Sequence, residues 1–291
     1  MARAKDAASD AEVNSRNHFV LMYHHVGPLE RLGGLQPFVV SPRAFCAQMD
    51  VIEARGLKVA TLNEVLSVTV GVDDGCDRIV ITFDDCPREL LDFAVPELER
   101  RGWKATFFAV AGKVGEYNDW DVTGGAPRVP LMGWEDLRQL SQLGHEIGAH
   151  GFSHASLRRC PYGTAMQELR TSRNTLEQQI GVSVASMAYP FGEAPDGYPV
   201  LCADAGYEGA CSIFSMSRTV MADRYAIRRI LVTERDQGLR MRAKLSLAYL
   251  AIRARVVDPD RLKVNLNRPN ANSPDSRPSK TPGSTSHDAE E

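Results

Sequence analysis

Apolar and polar positions follow two rhythms along this chain. Runs such as Phe19-Val20-Leu21-Met22-Tyr23 and Ile79-Val80-Ile81-Thr82-Phe83 have almost no polar positions and suit strands buried on both faces. Residues 105–110, 146–149, 185–189, 209–214 and 226–232 read as further strands. Segments with helical spacing lie between them. Ser41-Pro42 opens one, with Ser as cap and Pro at the first helical position, and Phe45, Met49 and Ile52 share a face. Others cover residues 89–101, stopping at Gly102, and 134–143, stopping at Gly144, then 163–180 and 196–205. Strands alternating with helices predict βαβ units and a mostly parallel sheet. A closed barrel and an open doubly wound sheet both fit this periodicity.

The two ends of the chain read differently. Residues 1–17 are polar and alanine-rich, a disordered lead without the apolar core of a secretory signal. No stretch approaches the roughly 20 apolar residues of a membrane span. A cytoplasmic location is the resulting expectation. The main domain is expected over residues 18–237, followed by a basic helix and extension over 238–266. Within residues 238–257, Leu239, Leu245, Leu247, Leu250 and Ile252 are mixed with Arg240, Arg242, Lys244, Arg253 and Arg255. One reading is a helix packed on the main domain. The other is a basic amphipathic helix that touches an anionic membrane, making the protein peripheral to the inner membrane. Residues 267–291 are Pro, Ser, Asn and charge, and read as a disordered tail.

Composition narrows the function classes. With 291 residues and 43% hydrophobic content, one large α/β domain can bury a full core. The net charge of −3 gives no electrostatic footprint for nucleic acid, so no such partner is expected. The six cysteines contain no C-x-x-C pair, which excludes zinc-ribbon and thioredoxin-like readings. Most are expected to be reduced, several of them packed as small hydrophobes.

Three segments carry candidate chemistry. In Thr82-Phe83-Asp84-Asp85-Cys86-Pro87, two acids sit where an apolar strand stops. Such a pair is often only a turn and a helix cap. In His150-Gly151-Phe152-Ser153-His154, two imidazoles four residues apart suit a metal pair. Ala188-Tyr189-Pro190-Phe191-Gly192 is either a plain turn or a source of aromatic walls and a backbone N–H for a pocket. One Asp and two His make three ligands with an open fourth position, and the second Asp is left over as a base. That set describes metal-assisted hydrolysis.

The order Thr-Phe-Asp-Asp, His-x-x-x-His and Tyr-Pro-Phe-Gly resembles carbohydrate esterase family 4, the polysaccharide deacetylases. Leu131-Met132-Gly133-Trp134 and Gly144-His145-Glu146-Ile147-Gly148 match further segments of that family. Leu21-Met22-Tyr23-His24-His25-Val26 looks like its poly-N-acetylglucosamine branch. The resemblance covers about residues 18 to 235. It implies a distorted (β/α) barrel of about seven parallel strands. It implies Asp84 as general base and Asp85, His150 and His154 as metal ligands. Tyr189, Pro190 and Phe191 fall in the substrate and oxyanion segment, with the Phe191 N–H placed for the oxyanion. The implied cofactor is a divalent metal, Zn2+ by default, with Co2+, Mn2+, Ni2+ or Fe2+ as alternatives. The implied partner is an N-acetylated oligo- or polysaccharide, or a lipid-linked sugar. A sugar deformylase and a non-catalytic carbohydrate-binding relative are the competing functions.

The chain departs from the family pattern in four places. Cys86 stands where Gly is usual, and Ala188 where many members have an Arg that supports the base. The family's later Asp/Trp segment has no clear counterpart between Gly209 and Asp236. No His lies between His154 and His287, so the late catalytic His is missing. In the branch named above, a His after the first strand stands in for it, and His24 matches that position. His24 is therefore the expected general acid, with His25 as second choice.

Overall fold

The computed structural model describes residues 18–67, 77–122, 125–213 and 223–249. The apolar runs form parallel strands. They are β1 (His18–Tyr23), β2 (His25–Val26), β3 (Val39–Val40), β4 (Lys58–Ala60), β5 (Arg78–Asp84) and β6 (Thr106–Ala109). After them come β7 (Glu146–Ala149), β8 (Ser186–Ala188), β9 (Gly209–Ser212), β10 (Ile227–Arg228) and β11 (Ile230–Leu231). The main sheet runs β10-β9-β8-β7-β6-β5-β1-β11, with β4 also pairing β5. β2 and β3 form a separate parallel pair.

The last strand closes the barrel. The run expected as one strand over residues 226–232 divides into β10 and β11 with Arg229 between them. Ile227 and Arg228 pair with Cys211 and Ser212 at one end of the sheet. Ile230 and Leu231 pair with Leu21 and Met22 at the other. One stretch of chain therefore spans both ends of the sheet and nearly closes it. This decides between barrel and open sheet. The barrel depends on which neighbours β10 and β11 choose, which periodicity does not encode.

The packing follows from the sequence. β1 and β5 are buried along almost their whole length. Phe83 stacks on Phe107 at 5.0 Å and lies 5.6 Å from Tyr23 between ring centroids. Gly148 is required in β7, because a Cβ there would come within 2.5 Å of the Phe108 ring. Among the helices, Pro42–Ala54 starts as expected, with Ser41 Oγ accepting from the Ala44 N–H at 3.2 Å. Leu90–Arg100, Trp134–Gln142, Tyr162–Ile180 and Tyr198–Asp204 match the expected helices to within a residue or two. Helix Leu62–Leu66 was not expected from the spacing. A capping box of Thr61 and Glu64 starts it.

The five described cysteines, Cys46, Cys86, Cys160, Cys202 and Cys211, are all free thiols, and three of them are buried. Helix Gly238–Lys244 lies in the same compact unit as the barrel, with Met241 and Leu245 in the core and Leu239 exposed. Residues 1–17, the expected tail over 267–291 and the second half of the basic segment lie outside the described residues. No described helix is long and apolar enough to cross a membrane.

Candidate metal centre and active site

The site sits where the parallel strands end, the usual location for barrel active sites. β5 carries Asp84 as its last residue, and the chain turns sharply beyond it. Asp85 and Cys86 both have positive φ, 66° and 55°. That turn brings both carboxylates to one mouth, although neighbouring strand residues normally point apart. It also accounts for the glycine usual at position 86 in the family. Cys86 takes up a left-handed conformation that costs a side chain about 1–2 kcal/mol. His154 and Phe191, at 62° and 61°, are the other described non-glycine residues with positive φ. Asp85, His154 and Phe191 meet at one site, and Cys86 follows Asp85 in the same turn. Backbone strain of this kind is held in place by the surrounding structure and concentrates at functional sites.

Asp85, His150 and His154 are buried, with one ligand atom from each lying within 4.8 Å of the others. Asp85 Oδ1 stands 3.5 Å from His150 Nε2 and 3.3 Å from His154 Nε2. Donors around a tetrahedral zinc, each about 2.0–2.1 Å from the ion, stand roughly 3.3 Å apart. The observed spacings fit that edge. Asp85 Oδ1 is also buried without a hydrogen bond, and a bound cation would satisfy it. His150 Nδ1–H donates to the Ala188 carbonyl at 2.8 Å, which leaves the Nε2 lone pair facing the cluster. Glu168 fixes the loop between the two histidines. It accepts from the Phe152 and Ser153 N–H groups at 2.9 Å each and from Ser153 Oγ at 2.7 Å.

Asp84 has a different environment. Arg229 grips it with two parallel bonds, Nη1 to Oδ1 at 2.5 Å and Nη2 to Oδ2 at 2.7 Å. The arginine side chain is fully buried, and its Nη1 also donates to Thr82 Oγ1 at 3.2 Å. Burial raises the Asp84 pKa, but Arg229, with His150 and His24, outweighs it and holds the carboxyl below its ordinary range. Burial likewise pushes Asp85 up, and His154, His150 and His24 more than reverse it. Both acids are ionised at neutral pH. Arg229 thus supplies the support that Ala188 cannot, from the seam of the barrel. Its signal in the sequence was the pair Arg228-Arg229 inside an otherwise apolar run.

The two histidines after β1 separate clearly. His24 Nε2 lies 3.8 Å from Asp84 Oδ2, and its ring packs 4.6 Å from Phe38. His25 is turned away and bonds through Nδ1 to Glu89 at 2.6 Å. Burial pushes His24 down to about 4 against the opposing pull of Asp84 and Asp85. It therefore rests neutral at pH 7.

The three residues of the substrate segment differ in exposure. Tyr189 is fully buried, and its hydroxyl donates to the Tyr225 carbonyl at 2.8 Å, so its ring lines no pocket. Pro190 is buried. Phe191 is exposed and meets the His154 ring edge-on at 4.8 Å. A second aromatic at the site, Trp120, has no motif around it in the sequence. It stacks on His154 at 4.2 Å with the planes 18° apart.

The parallel barrel thus carries, at its strand ends, a buried Asp-His-His cluster that could hold a metal ion and a second, arginine-held carboxylate beside it. Residues 71–210 match the polysaccharide deacetylase family model and form a polysaccharide deacetylase domain; proteins of that family are hydrolases of carbon–nitrogen bonds acting on N-acetyl groups. A poly-beta-1,6-N-acetyl-D-glucosamine N-deacetylase of Staphylococcus aureus is 23% identical over 209 residues, covering 69% of this chain and 70% of the relative. IcaB from Ammonifex degensii superposes with a TM-score of 0.66 at 21% identity, covering 80% of this chain and 98% of the other. The Streptococcus pyogenes deacetylase PplD gives a TM-score of 0.65 at 19% identity, covering 78% and 97%. The structural likenesses bear out the barrel fold.

Proposed function

We propose that this protein is a divalent-metal N-deacetylase acting on a poly-N-acetylglucosamine-type glycan. One observation carries the reading: a buried Asp85-His150-His154 cluster with ligand-like spacing sits beside a carboxylate, Asp84, held apart from it by Arg229. The substrate class rests on the Staphylococcus aureus relative. Zinc is the default ion for such a donor set. When bound, it would supply Lewis acidity to the acetyl carbonyl and to the attacking water. Asp84 accepts the proton of that water, and Arg229 keeps its oxygens aimed while it does so. The Phe191 N–H steadies the oxyanion. An amide nitrogen cannot leave as an anion, so His24 hands a proton to the departing amine. Because His24 rests neutral, the proton it delivers is the one Asp84 took from the water, handed over once the two side chains close from 3.8 Å to hydrogen-bond distance. The net change is amide plus water giving amine plus acetic acid, which leave as ammonium and acetate near neutral pH.

Acetate release from N-acetylglucosamine oligomers is expected to stop on chelation and to return with zinc or cobalt. His150→Ala and His154→Ala are expected to lose both the metal and the activity while remaining folded. Turnover at full rate by protein shown metal-free by elemental analysis would end this reading.

His24→Ala is expected to retain the metal and to lose about 10²–10⁴-fold in kcat on acetylated amines, the usual size of an acid–base contribution. The loss should be much smaller for an activated acetate ester, whose leaving group needs no proton. Equal losses on both substrates, or a selective loss in His25→Ala instead, would refute the assignment.

A further inference from the structure

His150 and His154 are held in different ways. A metal-ligating histidine nearly always donates its second ring N–H to a carbonyl or carboxylate, which fixes the ring's orientation and tautomer. His150 does so through the Ala188 carbonyl. His154 does not, because its Nδ1 is buried and makes no hydrogen bond. Its backbone is also in a left-handed conformation, with φ at 62°. Aromatic packing constrains the ring instead. Trp120 covers one face at 4.2 Å, nearly parallel, and Phe191 closes from the edge at 4.8 Å.

Trp120 is itself set in place. It lies in helix Asp119–Val122, a single turn preceded by the fully buried Asn118. Asn118 Oδ1 accepts from the Val129 N–H at 2.6 Å, and its Nδ2 donates to Asp121 at 3.1 Å and to the Pro127 carbonyl at 3.3 Å. One buried amide thus ties the turn that carries the indole to the loop that returns behind it.

We infer that Trp120 is a positioning residue for His154, doing with its ring face what the Ala188 carbonyl does for His150. The inference rests on the reading of Asp85, His150 and His154 as metal ligands. An imidazole that gives its Nε2 lone pair to a cation becomes electron-poor, and an indole face favours an electron-poor partner. The stack is therefore stronger with metal bound than without, and the difference enters the metal affinity. A stack limits ring tilt but selects no tautomer, so His154 is the more yielding of the two histidine ligands.

The full-length protein tests this by chelator competition for Zn2+. Trp120→Ala is expected to bind zinc about 10- to 100-fold more weakly, the usual cost of removing a residue that orients a ligand. The unfolding midpoint of its metal-free form should stay near that of the parent protein. Trp120→Phe, which retains a ring face, is expected to recover most of the affinity. Co2+ loading of the parent protein should quench indole emission. That quench should largely vanish in Trp120→Phe, although Trp103 and Trp134 remain. Zinc affinity of Trp120→Ala within twofold of the parent would overturn the inference. So would an undiminished cobalt quench in Trp120→Phe, which also decides the matter if the Ala variant does not fold. A parent protein that binds no divalent ion would instead overturn the metal-site reading, and this inference with it.

Discussion

Arg229→Ala is expected to lower the stability of the metal-free protein by about 3–5 kcal/mol, the cost of leaving a buried charge without its partner. Asp84 and Arg229 are both buried and share two short parallel bonds. Removing the guanidinium strands a carboxylate that water cannot reach. Arg229 also sits between β10 and β11, where the barrel closes, so the same change loosens the seam. Denaturant unfolding measures the loss. Its pH dependence has a definite sign. The folded-state pKa of Asp84 is depressed, so its contribution is fully present above its unfolded pKa of about 3.9. That contribution is lost as pH falls through the lower folded value. The gap between parent and variant should therefore be widest near neutrality and should narrow below about pH 4. Arg229→Lys should recover only part of the stability, because a single ammonium cannot match the bidentate fork. A variant as stable as the parent at pH 7 would show that the pair contributes nothing net.

How much of this was legible in the sequence depends on the range of the interactions. Strands buried on both faces print as apolar runs, so β1, β5 and β6 could be read directly. Helix ends were marked by local chemistry, such as Ser41 at one start and Gly102 and Gly144 at two stops. Asp84, Asp85, His150 and His154 could be paired because each lies within a short motif at a strand end. Arg229 could not be assigned to Asp84, because 145 residues separate them and only closure of the barrel brings them together. Two arginines in an apolar run signal that a charge is buried, without naming its partner. Trp120 had no signal at all, since a single-turn helix has no period. His24 and His25 were ambiguous for a related reason. Adjacent side chains point opposite ways, and which one faces Asp84 depends on where β1 ends and β2 begins.

Asp84→Asn and Asp85→Asn are expected to fail in different ways. Asp85 places a bare oxygen against both imidazoles, so its amide variant should lose the metal, and with it nearly all turnover. Asp84 faces Arg229 and His24. Its amide variant should retain the metal and lose about 10²–10⁴-fold in kcat, because an amide cannot accept the proton of water. Asp84→Asn leaves Arg229 as a buried cation without its counter-charge, and the resulting instability alone would mimic a catalytic loss. The double variant Asp84→Asn with Arg229→Met removes that charge as well. Replacing both members of a buried pair is often near neutral for stability, so the double variant should fold better than either single one. It should still bind metal and still fail to release acetate. Elemental analysis, unfolding curves and acetate release on the same three preparations separate the roles. If the double variant is stable, metal-loaded and active, Asp84 is an anchor for Arg229 and the base lies elsewhere.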